Sequence, residues 1–128
     1  MHFKIAALAV MTTAVLGCTP VGQLKESDFV WHERTLPIAY QQAFRNVRAG
    51  FRSCGDEYVE SVLFDDIKTG EFDAWHPTML NSASPIYWGR IIITAIDEKH
   101  SRVRVGLTSD SESRRTRWHR WAAGDPNC

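Results

Sequence analysis

The stretch Leu36-Pro37-Ile38-Ala39-Tyr40-Gln41-Gln42-Ala43-Phe44-Arg45-Asn46-Val47-Arg48-Ala49-Gly50-Phe51-Arg52-Ser53-Cys54-Gly55 decides the fold. Leu36, Tyr40, Ala43, Phe44, Val47, Phe51 and Cys54 fall within about 100° of arc at the helical period, which predicts one amphipathic helix from Leu36 to about Ser53. Gln41, Arg45, Arg48 and Arg52 gather to one side as a solvated flank. Thr35 is placed to cap the helix, Pro37 is tolerated in its first turn, and Gly55 supplies the stop. Cys54 then sits on the buried face at the helix terminus. A helix with a single apolar stripe needs another layer to cover it.

The flanking sequence supplies strands for that layer. Before the helix, Asp28–Arg34 alternates through Phe29 and Trp31. After it, Glu57–Phe64 is rich in β-branched and aromatic residues, Lys68-Thr69-Gly70 reads as a turn, and Glu71–Trp75 as a short strand. His76–Pro85 is the longest irregular segment. Ile86–Asp97 is apolar almost throughout and suits a central strand, while Arg102–Leu107 puts Val103, Val105 and Leu107 inward and Arg102 and Arg104 outward. The spacing of Ser109 and Glu112 predicts a second helix over Asp110–Ala123, ending at Gly124, with Trp118, Trp121 and Ala122 on one side.

The expected fold is therefore α+β, in the order β-α-β-β-β-β-α. It is a two-layer sandwich with an antiparallel sheet of four to five strands, covered by one long helix and followed by a C-terminal helix.

The N-terminus is of a different kind. His2 and Lys4 precede a mostly apolar run from Ile5 to Leu16, which ends at Gly17-Cys18-Thr19-Pro20. The run is shorter than the roughly 20 apolar residues of a membrane span and reads as a signal peptide. Val15-Leu16-Gly17-Cys18 resembles the lipobox of bacterial lipoproteins. The resemblance covers residues 1–18 and implies cleavage before Cys18, a diacylglyceryl group on its sulfur and acylation of the new amino group. Thr19 stands where enteric lipoproteins retained at the inner membrane carry aspartate, so the implied location is the outer membrane, facing the periplasm.

Three segments follow: a signal peptide (1–17), a lipidated tether (18–27) and a single domain (28–128). Extended, the tether reaches about 30 Å. The chain has three cysteines. With Cys18 lipidated in an oxidising compartment, Cys54 and Cys128 are expected to form a disulfide, the alternatives being free thiols or an intermolecular bridge. The helix ending in a cysteine and the closing Trp-Ala-Ala-Gly with its last cysteine are similar to small Gram-negative envelope lipoproteins. The element order also resembles the helix-on-sheet domains of lipoproteins accessory to outer-membrane protein assembly, with no functional residue carried over.

Charge names no partner, since fifteen basic residues balance fifteen acidic ones. Asp56, Glu57, Glu60, Asp65, Asp66, Glu71 and Asp73 form an acidic block, and Arg114, Arg115, Arg117 and Arg120 close a basic one. Interleaved with Trp118 and Trp121, these arginines make a candidate interaction surface of Arg114, Arg115, Arg117, Arg120 and Trp118. In a cell envelope such a surface suits anionic lipid head groups or an acidic protein rather than nucleic acid. The competing reading places the tryptophans in the core and pairs the arginines internally.

No nucleophile or zinc-protease motif is present, and His32-Glu33, as strand neighbours, point to opposite faces. Asp73 and His76, with Asp65, Asp66 and Glu71 nearby, have spacing too irregular to support a metal site, and no cofactor is expected. Dispersed catalysis around His76 or His119 is a lesser alternative. The leading expectation is a non-enzymatic, lipid-anchored interaction or accessory protein of the envelope. The alternative is a module holding a small apolar or lipid-like ligand between helix and sheet, lined by Tyr40, Phe44, Trp88 or Tyr87.

Overall fold

In the computed structural model, residues 24–55, 57–76 and 86–128 are described. The lipobox with Cys18, the first part of the tether and residues 77–85 of the irregular segment lie outside them. Five strands form one antiparallel sheet: β1 (Val30–Leu36), β2 (Tyr58–Phe64), β3 (Thr69–His76), β4 (Ile86–Ala95) and β5 (Ser101–Leu107), in the spatial order β1-β5-β4-β3-β2. Two helices, α1 (Tyr40–Cys54) and α2 (Glu112–Ala122), pack on one face of the sheet. The fold is thus α+β as expected, but two helices share the covering in place of one long one. Among the described residues, no helix is long and apolar enough to cross a membrane.

The core follows the register. Ile91 pairs with Val105, Ile93 with Val103 and Phe72 with Ile91, and all of them are buried, which aligns one apolar row across the three central strands. Onto it α1 lowers Tyr40, Ala43, Phe44, Val47 and Phe51, and α2 lowers Trp118, Trp121 and Ala122. Phe51 ties the two helices together, with ring centroids 5.5 Å from Trp118 and 5.0 Å from Trp121. Burying each of the larger of these side chains contributes roughly 1.5 to 3 kcal/mol, and each alanine about 0.8 kcal/mol.

Several boundaries differ from expectation for identifiable reasons. Thr35 and Leu36 belong to β1, paired with Arg102 and Ser101, so Thr35 caps nothing and α1 begins at Tyr40 after an extended Ala39. The backbone hydrogen bonds of a sheet partner outcompete a side-chain cap here. The β2–β3 turn lies at Asp65–Lys68, with Lys68 at φ 51°, which leaves Thr69 and Gly70 inside β3.

Helix α2 is capped by Ser111, whose hydroxyl accepts from the Arg114 N–H, and not by Ser109. Gly124, at φ 100°, supplies the left-handed residue after α2, whereas Gly55 ends α1 at φ −89°, an ordinary extended value. Part of the expected tether is also fixed. Glu26–Asp28 forms a 3-10 turn whose Glu26 carbonyl accepts from Trp31 Nε1 at 2.8 Å and whose carboxylate meets Arg104 at 3.3 Å.

The structure joins Cys54, at the end of α1, to Cys128, with Cα atoms 5.3 Å apart. This bridge fastens the C-terminal segment to the helix around which the domain is built.

Candidate interaction surface

The arginines of α2 do not form one array, because each is engaged by a neighbour. Arg115 Nη1 donates to Asp110 Oδ1 at 2.8 Å and lies 3.0 Å from His32 Nε2. Arg120 reaches the Asn127 carbonyl at 3.1 Å. Arg114 and Arg117 turn together to Glu57, with Arg117 Nη2 at 3.2 Å and Arg114 Nε at 3.8 Å from the same carboxylate oxygen. Trp118 is fully buried, so it leaves the surface expected of it. Its indole lies on the stripe that faces the sheet, where burial of a large apolar area outweighs any exposed role.

Glu57, Arg114 and Arg117, with Cys54, His76 and Trp88, line a cleft of about 300 Å³. The Arg114 guanidinium stacks 3.8 Å over the Trp88 ring. The Glu57 side chain is only 6% exposed, and among the described residues its Oε2 and the Trp88 Nε1 have no hydrogen-bond partner. Burial pushes the Arg114 pKa below its ordinary value; Glu57 pulls it up and the like charge of Arg117 pushes it down again. Among the described residues, the cleft thus sets one carboxylate against two guanidiniums. Its one sulfur belongs to the disulfide, so it offers no thiol nucleophile.

Among the described residues, the opposite face of the sheet carries no helix. Its centre holds a half-buried network in which Arg90 Nε donates to Asp73 Oδ1 at 2.7 Å, Tyr87 donates its hydroxyl to the same carboxylate, and Arg90 lies over the Phe29 ring. Phe29 packs between Trp31 and Tyr87, and Arg104 stacks 4.4 Å over Trp31. Trp31 lies flat across its register partner Gly106, where a Cβ would meet the indole at 2.8 Å.

Toward β2 this face opens and mixes apolar side chains with the exposed carboxylate of Glu60 and with Glu71, the register partner of Val62. Tyr58, Val62 and Phe64 are 58%, 48% and 38% exposed, and Tyr58 stacks on Trp75. Among the described residues, strand β2 pairs with β3 alone, so its other edge has no partner there. On the helix side of that edge, a groove of about 310 Å³ runs between α1 and β2, lined by Arg48, Phe51, Arg52, Glu57, Val59, Ser61 and Phe72. Arg48 and Arg52 are exposed and, among the described residues, enter no ion pair. Helical periodicity places both in a solvated flank, and nothing in the sequence connects them to β2.

The other expected residues are dispersed. Asp73 lies on the open face, His76 lines the cleft, and Asp65 accepts from the Tyr40 hydroxyl at 3.1 Å. Among the described residues, no group of three His, Cys, Asp or Glu side chains is placed to hold a metal ion. His119 is buried, and Glu33 reaches Arg102 at 2.9 Å on the face away from His32. Of the residues expected to line a ligand pocket, Phe44 packs on Phe72, Trp88 stacks under Arg114, Tyr87 lies on the open face, and Tyr40 lines a separate cleft with Lys68 and Ile96. The chain matches no protein-family model and no curated protein.

Proposed function

We propose that this chain is a lipid-anchored protein of the bacterial envelope, held at the outer membrane through Cys18. It acts there without catalysis, as an interaction or accessory protein that offers its sheet to another envelope component. One observation carries the interaction role: among the described residues both helices cover the same face of the sheet, and the other face ends in an edge strand that exposes Tyr58, Val62 and Phe64 and has a partner on one side only. Exposed apolar side chains gathered at a free edge favour docking of a partner. With Glu26 pinned to the sheet, the tether from Cys18 spans about 27 Å at full extension, which keeps that face near the membrane.

The test of the anchor is fractionation of cells expressing Cys18→Ala. The variant is expected to leave the membrane fraction for the soluble periplasm, and unchanged membrane association would overturn the anchor.

A further inference from the structure

We infer that the β2 edge and the groove beneath it form a docking site for an extended peptide strand of alternating character, acidic on the inward side and apolar on the outward side. This rests on reading the protein as an interaction module and names the chemistry of its partner.

Strand polarity sets the pattern. A sixth strand added along Tyr58–Phe64 takes its hydrogen bonds from the unpaired side of β2, and its side chains alternate between the two faces of the sheet. On the outward face they would lie beside the exposed row Tyr58, Glu60, Val62 and Phe64, apolar at all but Glu60, which further disfavours an acidic residue on the outward side of the peptide. On the inward face they would lie beside Val59, Ser61 and Leu63, which register with Ala74, Phe72 and Gly70 on the helix side of β3. That position opens onto the groove, where Arg48 and Arg52 stand one helical turn apart on α1.

Charge complementarity selects the occupant. Helix α1 carries Arg45, Arg48 and Arg52 and no acidic residue, so the repulsion between Arg48 and Arg52 at i,i+4 is uncompensated along the helix. The groove's own carboxylate, Glu57, is turned away to Arg114 and Arg117. A carboxylate arriving opposite Ser61 would supply the missing charge, whereas a lysine there would add a third cation. A second copy pairing β2 to β2 would set the arginine pairs of both copies against each other, which disfavours self-association at this edge.

The test uses the full chain in detergent micelles and two labelled heptapeptides with the same valine and phenylalanine outward positions. One carries glutamate at the inward positions and the other lysine. Fluorescence anisotropy is expected to show the glutamate peptide binding at least roughly tenfold tighter, with the preference shrinking as salt rises. Amide exchange should slow along β2. The paired substitutions Arg48→Glu and Arg52→Glu should reverse the preference, and Arg48→Gln with Arg52→Gln should abolish it; both are at exposed positions, and circular dichroism checks their fold.

Equal binding of the two peptides, protection elsewhere than β2, or a preference that survives both variants would overturn the inference. Self-association through β2 that excludes the peptides would overturn it as well. Because the measurement is made in detergent, its failure leaves the Cys18 anchor standing, and loss of the anchor leaves this result unaffected.

Discussion

The indole of Trp121 occupies the space that a side chain on Gly50 would need: a Cβ built there lies 2.3 Å from Trp121 Cδ2. In an open helix, replacing glycine by alanine raises stability by about 1 kcal/mol. Here the ring cannot retreat, because it is 1% exposed and Phe51 holds it edge-on at 5.0 Å. Overpacking therefore wins. Gly50→Ala should lower the unfolding free energy by about 2 kcal/mol in urea titration, and a variant as stable as the parent would show that α1 and α2 do not cross at this point.

The disulfide closes a long segment, with 74 residues of separation between Cys54 and Cys128. In the chain-entropy description this stabilises the fold by about 4 kcal/mol. Replacing both cysteines with serine should cost about that much in urea titration, with reductant then having no further effect. Labelling of both residues by a thiol reagent in the untreated native protein would contradict the bridge.

His119 makes the stability depend on pH. Burial first, then the positive charge of Arg34 and the neighbouring His32, lower its pKa from the ordinary 6.5 to about 4, against the opposing pull of a hydrogen bond to the His32 backbone. Above pH 6.5 neither the folded nor the unfolded chain protonates this ring. Between pH 6.5 and 4 mainly the unfolded chain takes up the proton, so stability declines as pH falls through that window, by roughly 3 kcal/mol in all. Denaturant midpoints measured across the window should follow this slope in the parent and lose most of it in His119→Gln; equal slopes would contradict the assignment.

On the open face, Asp73 and Arg90 are 18% and 14% exposed and hold each other at 2.7 Å. Asp73→Ala leaves a guanidinium desolvated without its partner and should cost about 3 kcal/mol by thermal or urea unfolding. Adding Arg90→Met removes the stranded charge and should recover most of the loss. A single variant as stable as the parent would mean that solvent already compensates Arg90.

Periodicity made α1 legible, since Tyr40, Ala43, Phe44, Val47 and Phe51 form the stripe that the structure buries, and alternation did the same for Val103, Val105 and Leu107. Ends and edges were less legible, because they depend on partners distant in sequence. Thr35 looks like a cap until Arg102 pairs with it, and β2 looks like any other strand until the order β1-β5-β4-β3-β2 puts it at the rim. For the arginine-rich segment of α2 the sequence leaves two readings open, and the structure matches the one that puts Trp118 and Trp121 in the core and pairs arginines with the acidic block, through Glu57 with Arg114 and Arg117. A helix with three arginines and no acid is the available signal for the groove, and it points to nothing without the strand order that sets Arg48 and Arg52 beside the edge strand β2.

Intact mass spectrometry of the chain extracted from its native membrane tests the envelope assignment most directly. The expected species is residues 18–128 carrying a diacylglyceryl group and an amide-linked acyl chain on Cys18, less the two hydrogens lost in joining Cys54 to Cys128. A chain that retains residues 1–17, or begins at Cys18 without lipid, would contradict an envelope protein tethered at that cysteine.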